Sequence, residues 1–269
     1  MKIIIKLLSA LAFLISVAWA VAEFTYEPLI VSLGSAVAFI GVFSREKQKS
    51  KVYAREQASL FYGKIANDYD ERNTQFLKES HINTVKHLKK AIDELDSASV
   101  LDLGGGTGIN VAAHFFNRRN VTWNYVDASS EMKTAFEKNV EMADFKFTTK
   151  MSDLNEFMNS CEEKFDAIVV SFVLTSLPYP FDIKKAASLL KPSGSLIIAD
   201  IEPEYTAKFP EYTVRVGTEY HSLLVSPVNA LDLIEKGLNE NLQLKFCQSI
   251  KKNDGQRYAY VVHMTQPFV

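Results

Sequence analysis

Val100-Leu101-Asp102-Leu103-Gly104-Gly105-Gly106-Thr107-Gly108 is the stretch whose reading decides the fold. An apolar run ends on an acid and passes directly into four glycines within five residues, the pattern of a buried strand entering a tight turn. Glycine is required where the backbone turns sharply and a ligand approaches with no Cβ in the way. The spacing predicts a helix from Ile109 to Arg118 directly afterwards, its first N–H groups facing whatever the turn holds.

Spacing narrows the ligand. The dinucleotide fingerprint needs Gly or Ala at 109, where Ile stands, and the phosphate-cradling loop needs a Lys-Ser/Thr pair where Ile109-Asn110 stands. What remains is Asp-Leu-Gly-x-Gly-x-Gly over Asp102 to Gly108. This resembles motif I of the class I S-adenosylmethionine-dependent methyltransferases. The resemblance implies that Gly104, Gly105, Gly106 and Gly108 hold the amino-acid end of S-adenosylmethionine, with Asp102 facing its ammonium group directly or through water. A carboxylate suits a cationic ligand and would repel a pyrophosphate. The bland alternative is a glycine-rich turn with no ligand.

From residue 99 onward strand and helix patterns alternate, as in a doubly wound α/β sheet. Val121–Val126 reads as the second strand, ending at Asp127, and Ser129 or Ser130 caps a helix to about Val140. Phe145–Thr149, Phe165–Phe172, Ser195–Asp200, Leu242–Cys247 and Tyr258–Met264 complete seven strands. The last pair lacks a long helical crossover, and the resemblance implies a mostly parallel seven-stranded sheet with the final strand antiparallel. Helices are expected over Ile183–Leu190 and near Pro227–Lys236, with an irregular segment over 201–226.

Ligands of open α/β sheets bind at the carboxyl ends of the strands. Asp127, with Ala128 beside it, falls where the family's second motif takes the ribose hydroxyls; the alternative is a helix cap. Asp153 and Leu154 resemble the pair that reads the adenine edge, again against a simple cap, and Ser171 ends strand four beside the sulfonium region. Upstream, Tyr62 and Tyr69 lie in a Tyr-x-x-Ile-Ala-x-x-Tyr-Asp-like stretch that forms an aromatic lid in many such enzymes; packing of an amphipathic helix is the other reading. Methyl transfer needs a base only when the acceptor must lose a proton, and His221, in the 201–226 segment, is the candidate catalytic residue. His81, His87, His114 and His263 read as surface or packing residues, and no metal site is expected.

The chain has 269 residues, 47% hydrophobic and 23% charged, with net charge −2, so it lacks the basic excess of a nucleic-acid binder. Asn-Pro-Pro-Tyr, the signature of nucleobase amino methylation, is absent after strand four. Cys161 and Cys247 have no metal-like spacing and read as reduced thiols.

Residues 1–43 differ in kind. Ile3–Ala22 carries one charge, Lys6, and matches the ~20 residues of a spanning helix. Leu29–Phe43 is shorter and reads as an untilted span, a re-entrant segment or an interfacial helix, and Gly34 with Ala38 would let it pack on the first segment. The expectation is a transmembrane helical hairpin. Lys2 and Lys6 before it, and Arg45 to Arg55 after it, orient both ends to the cytoplasm of a bacterial inner membrane. A cleaved signal peptide ending near Ala18-Trp19-Ala20 is the rival. The organisation expected is thus 1–43 membrane segments, 44–95 basic linker and helical lid, and 96–269 catalytic domain. The function expected is methyl transfer to a small-molecule or lipid acceptor at a membrane, with oligomeric state left open. An inactive binding or effector module of the same fold, or an NAD-dependent oxidoreductase, is the alternative.

Overall fold

Strand β2 (Ala98–Leu103) is buried at every position but Ser99 and lies between β3 (Val121–Asp127) and β5 (Phe165–Ser171), parallel to both. Cover on both faces is why its sequence reads as an apolar run instead of alternating. The computed structural model describes residues 11, 14, 15, 18, 19, 50–252 and 255–268. Outward from β2, β4 (Lys146–Met151) pairs with β3 and β6 (Leu190–Ile201) with β5, both parallel. Then β10 (Arg257–Thr265) runs antiparallel to both β6 and β9 (Gln243–Lys251), giving the order β4-β3-β2-β5-β6-β10-β9. The expected seven-stranded, mostly parallel sheet with an antiparallel last strand is present.

Helices cover both faces. Against Val100, Trp123, Val169 and Ile197 pack α2 (Tyr69–Ile92), through Val85, Leu88 and Ile92, and α3 (Ser130–Val140), through Phe136 and Val140. Against Leu101, Val126, Ile168 and Ile198 pack α4 (Leu154–Ser160), α5 (Ile183–Ser188) and α7 (Ala230–Asn239). Side chains start these helices: Ser129 accepts the Met132 N–H at 3.2 Å, and Asp153, Asp182 and Asn229 cap α4, α5 and α7.

Two expectations need correction. The segment after Gly108 forms turns and one 3-10 turn, Ala112–Phe115, in place of a helix over 109–118. Ile109, Asn110 and Val111 are weak helix formers, so little favours a helix there. The stretch 201–226 is ordered: α6 (Pro203–Lys208) leads into β7 (Glu211–Val216) and β8 (Glu219–Leu224). These strands join β1 (Ser50–Tyr53) in a small sheet of order β1-β8-β7. Its core joins Tyr53, Val214 and Leu223 to Phe61 and Ile65 of α1 (Ala58–Ile65).

The chain divides into two units, residues 1–50 with 217–220, and residues 51–216 with 221–269. In the first, Leu11, Leu14, Ile15, Ala18 and Trp19 are helical and exposed. The remainder of the proposed membrane segments 3–22 and 29–43 lies outside the described residues. Among the described residues, no helix is long and apolar enough to cross a membrane.

Gly108 is a glycine the fold itself requires. Its φ is +75°, and an added Cβ would stand 2.5 Å from the Phe136 ring. Gly108→Ala is expected to destabilise the protein by about 2–4 kcal/mol, the sum of the left-handed penalty and overpacking. Urea unfolding checks this as a lowered midpoint with unchanged slope.

Candidate active site

The carboxyl ends of β2 to β5 surround a cavity of about 270 Å³. Of the residues expected from the sequence, Gly104, Gly106, Asp127, Ala128, Asp153, Leu154, Ser171 and Tyr69 line it. Asp102, Gly105, Gly108 and His221 do not.

Asp127 organises the cavity's floor. One carboxylate oxygen accepts the Gly106 N–H at 3.0 Å and the other the Ser129 N–H at 2.8 Å. The turn after β2 and the start of α3 are thereby tied to one side chain. The Tyr125 hydroxyl donates to the Gly106 carbonyl at 2.8 Å, so both polar groups of that peptide are held. Gly106 has φ +55°, and nothing lies within 4 Å of where its Cβ would be, so the turn presents bare backbone to open space. Burial pushes the Asp127 carboxyl up to about 6, against the lowering effect of its N–H partners.

Asp102 takes a different place from the one expected. It pairs in register with Tyr125, so it shares a sheet face with Trp123, Tyr125 and Asp127. Its carboxylate accepts the Trp123 indole N–H at 3.1 Å and lies under the turn, where a Cβ on Gly105 would meet it at 2.8 Å. Asp102 is thus a buried support beneath the glycine backbone and not a wall of the cavity. Burial lifts its carboxyl to about 7, and the Asp127 charge adds to the rise.

Asp153 is a helix cap that also reaches the cavity. One oxygen caps α4, accepting from Asn155 at 2.9 Å and Glu156 at 3.2 Å, while the other accepts the Tyr179 hydroxyl at 2.5 Å, and the residue lines the cavity. The Ser171 hydroxyl is buried with no hydrogen-bond partner among the described residues, a polar atom available to a ligand. Tyr62 and Tyr69 both line the cavity, packed edge to face at 6.1 Å, and the Tyr62 hydroxyl bonds the Ser176 hydroxyl at 2.9 Å. At the mouth, Asp70 accepts from the Thr107 hydroxyl, tying α2 to the glycine turn.

His221 sits in the small sheet, 7% exposed, its Nδ1 at 3.1 Å from the Tyr53 hydroxyl and its ring stacked on Tyr53 at 5.8 Å. It lines neither this cavity nor the larger one beside it. It is the first of three consecutive buried residues of β8, His221 to Leu223, a run that no apolar/polar alternation in the sequence marks.

Sequence reasoning passed over three features. Arg55, whose guanidinium donates to the Leu177 carbonyl at 3.0 Å, places a cation on the cavity wall. Met132 and Val173 supply apolar walls. Asp200, fully buried at the end of β6, accepts from the N–H groups of Leu174 at 2.7 Å and Ile201 at 2.7 Å and from the Thr175 hydroxyl at 3.1 Å. It fixes the turn that carries Ser176. An acid closing an apolar strand was its only signal.

The methyltransferase domain family matches residues 71–234, more than half of the chain. Among solved structures, the N-methyltransferase NodS from Bradyrhizobium japonicum in complex with S-adenosyl-L-homocysteine aligns at 16% identity and TM-score 0.56, covering 77% of this chain and 97% of that one. The magnesium protoporphyrin IX methyltransferase ChlM from Synechocystis with bound S-adenosyl-L-homocysteine aligns at 14% and 0.57, covering 79% and 99%. The [4+2]-cyclase SpnF aligns at 12% and 0.56, covering 81% and 98%. At these identities the likeness is one of fold. No curated protein matches the sequence.

The position of Asp102 makes a testable demand on stability. Its folded-state value is raised from 3.8 to about 7, so its contribution is complete below pH 3.8 and is lost as pH rises through 7. Asp102→Asn is therefore expected to raise the melting temperature relative to the parent at pH 8, with the gain shrinking toward pH 4. The full effect is on the order of a few kcal/mol. A gain that is flat with pH would contradict the buried carboxylate.

Proposed function

Because this chain belongs to the methyltransferase domain family, we propose that it transfers a methyl group from S-adenosylmethionine to a small-molecule acceptor. The observation that carries the reading is the cavity itself: a glycine turn of bare backbone, a half-buried acid fixed at the end of β3, a second acid after β4 and a Ser171 hydroxyl with no partner among the described residues on one wall.

These residues suit the cofactor. Asp127 would take the ribose hydroxyls, Asp153 and Leu154 the adenine edge, and Gly104 with Gly106 the amino-acid end. Arg55 offers a cation for its carboxylate, and Asp102 acts on its ammonium across the turn. When bound, the cofactor supplies an electrophilic methyl on a sulfonium: the acceptor's lone pair forms the new bond, the C–S pair stays on sulfur as a thioether, and a protonated acceptor sheds its proton. The protein's part is to hold acceptor and donor in line and to keep water out, for which Tyr62, Tyr69 and Phe172 are placed.

Isothermal titration of the full chain in detergent tests this. Saturable binding of S-adenosylhomocysteine is expected, with none of NAD. Asp127→Asn is expected to weaken binding roughly tenfold to a hundredfold, the ~1.5–3 kcal/mol of hydrogen bonds to a charged group. Affinity in the parent falls as pH drops through about 6, where Asp127 gains its proton. No binding, or a preference for NAD, overturns the assignment.

The reading includes tethering of the domain to the cytoplasmic face of a membrane by residues 3–22 and 29–43, supported by their apolar length and flanking cations. The full chain is expected to resist extraction from bacterial membranes at alkaline pH. Cys247, an exposed thiol, is expected to react with an impermeant maleimide only after the cells are opened. Labelling in intact cells refutes this orientation.

A further inference from the structure

A second cavity, of about 510 Å³, adjoins the first, and Tyr62, Tyr69, Phe172 and Ser176 line both. Beyond these shared residues its rings are Tyr205, Phe209, Tyr212 and Tyr258, so most of its apolar wall is aromatic. The α6–β7 segment supplies Tyr205, Phe209 and Tyr212, which places the small sheet's leading edge on the cavity.

Charge is distributed unequally in this lining. Among the described residues that line it, only Lys252 and Glu211 are charged. Lys252 is partly buried, its ammonium 4.4 Å from the centroid of the Tyr205 ring and donating to the Tyr205 hydroxyl at 3.0 Å. Its charge is therefore held at a defined place on the wall. Glu211 is an exposed residue at the start of β7, where water and salt screen it.

The geometry points to an aromatic acid, a ring system bearing a carboxylate or similar anionic group, as the occupant of this cavity. On the methyl-transfer reading of the adjoining site, on which this assignment as acceptor rests, that molecule receives the methyl group. Ring faces and edges give a planar molecule contacts that an acyl chain cannot match. Lys252 pairs with the acidic group, and the same ammonium disfavours a cationic ring. The cavity volume lies within the ~300–1,000 Å³ range of pockets for drug-sized molecules, enough for two or three fused or linked rings.

Three fluorescent probes of similar size test the charge rule on the full chain: 1-anilinonaphthalene-8-sulfonate as the anion, N-phenyl-1-naphthylamine as the neutral ring and thioflavin T as the cation. The anion is expected to bind with one-to-one stoichiometry and about tenfold more tightly than the neutral ring, with the cation weakest. Lys252→Gln is expected to remove that tenfold preference while leaving the neutral probe unchanged, and Lys252→Arg to retain it. If Lys252→Gln does not fold, Tyr205→Phe, which removes the hydroxyl that holds the ammonium, is expected to weaken the anionic probe alone. Equal or tighter binding of the neutral or cationic probe overturns the proposal. So does an unaltered preference in these variants, or displacement of the anionic probe by palmitate at lower concentration than by 1-naphthoate. A parallel titration with S-adenosylhomocysteine reports on the first cavity. If it fails while the probes obey the charge rule, the methyl-transfer reading falls and the aromatic-acid site stands.

Discussion

One carboxylate joins the two halves of the candidate site. Asp127 accepts the N–H of Gly106 in the turn after β2 and the N–H of Ser129 at the head of α3. Neither donor has a helical or ladder partner of its own: Gly106 sits in the turn, and the Ser129 N–H precedes the first helical bond, in which the Ser129 carbonyl accepts from Lys133. Holding both with one rigid strand end sets the distance between turn and helix. Tyr125, two residues earlier on the same strand and stacked on Phe136 at 4.1 Å, then fastens the carbonyl side of Gly106. The shape of the cavity therefore depends on the end of β3 more than on the glycines, which permit the turn without fixing it.

The same device recurs around the sheet. Asp153 after β4 caps α4, and Asp200 at the end of β6 gathers Leu174, Thr175 and Ile201. Burial raises the acids of Asp102, Asp127 and Asp200, so each is ionised at some cost at neutral pH. Of these three, only Asp127 lines the first cavity, where Asp153 and the Arg55 guanidinium also stand. Net charge, at −2, gives no hint of this concentration. The second cavity holds fewer charges, Lys252 and Glu211, against Arg55, Glu56, Asp127 and Asp153 in the first, although the two share four lining residues.

Much of this was legible in the sequence because it is local. Continuous apolar runs marked β2 and β5, while the acids at 127 and 153 could be placed because one closes the alternating strand β3 and the other comes two residues after β4. What escaped depends on distant partners. Asp200 also closes a strand, but its meaning lies in residues 174–175, brought near by the pairing of β5 with β6. Asp102 was legible as an acid before a glycine, while its descent beneath the turn follows from its register with Tyr125. The 201–226 segment carried a readable signal, the alternation Glu211-Tyr212-Thr213-Val214-Arg215-Val216, which the short spacing of Pro203 and Pro210 obscured. His221 had looked like a lone base in a loop. In a strand its inward position buries it against Tyr53.

Phe172 stands where the cavities meet, and its backbone explains how the wall is held. It adopts φ +56°, a conformation that costs a bulky residue of order 1–3 kcal/mol. Its N–H donates to the Ala199 carbonyl at 2.7 Å, which continues the β5–β6 ladder one step past the strand and offsets part of that cost. The left-handed turn swings the ring out of the sheet and into the lining of both cavities. Behind it His81 packs edge-on at 5.0 Å, burial holding its imidazole down at about 4, with neither ring nitrogen partnered among the described residues. A neutral ring there is compatible with an apolar backing, and a protonated one would stand uncompensated behind the shared wall. The left-handed backbone and the neutral imidazole therefore act on the same ring, the one that both cavities share as a wall.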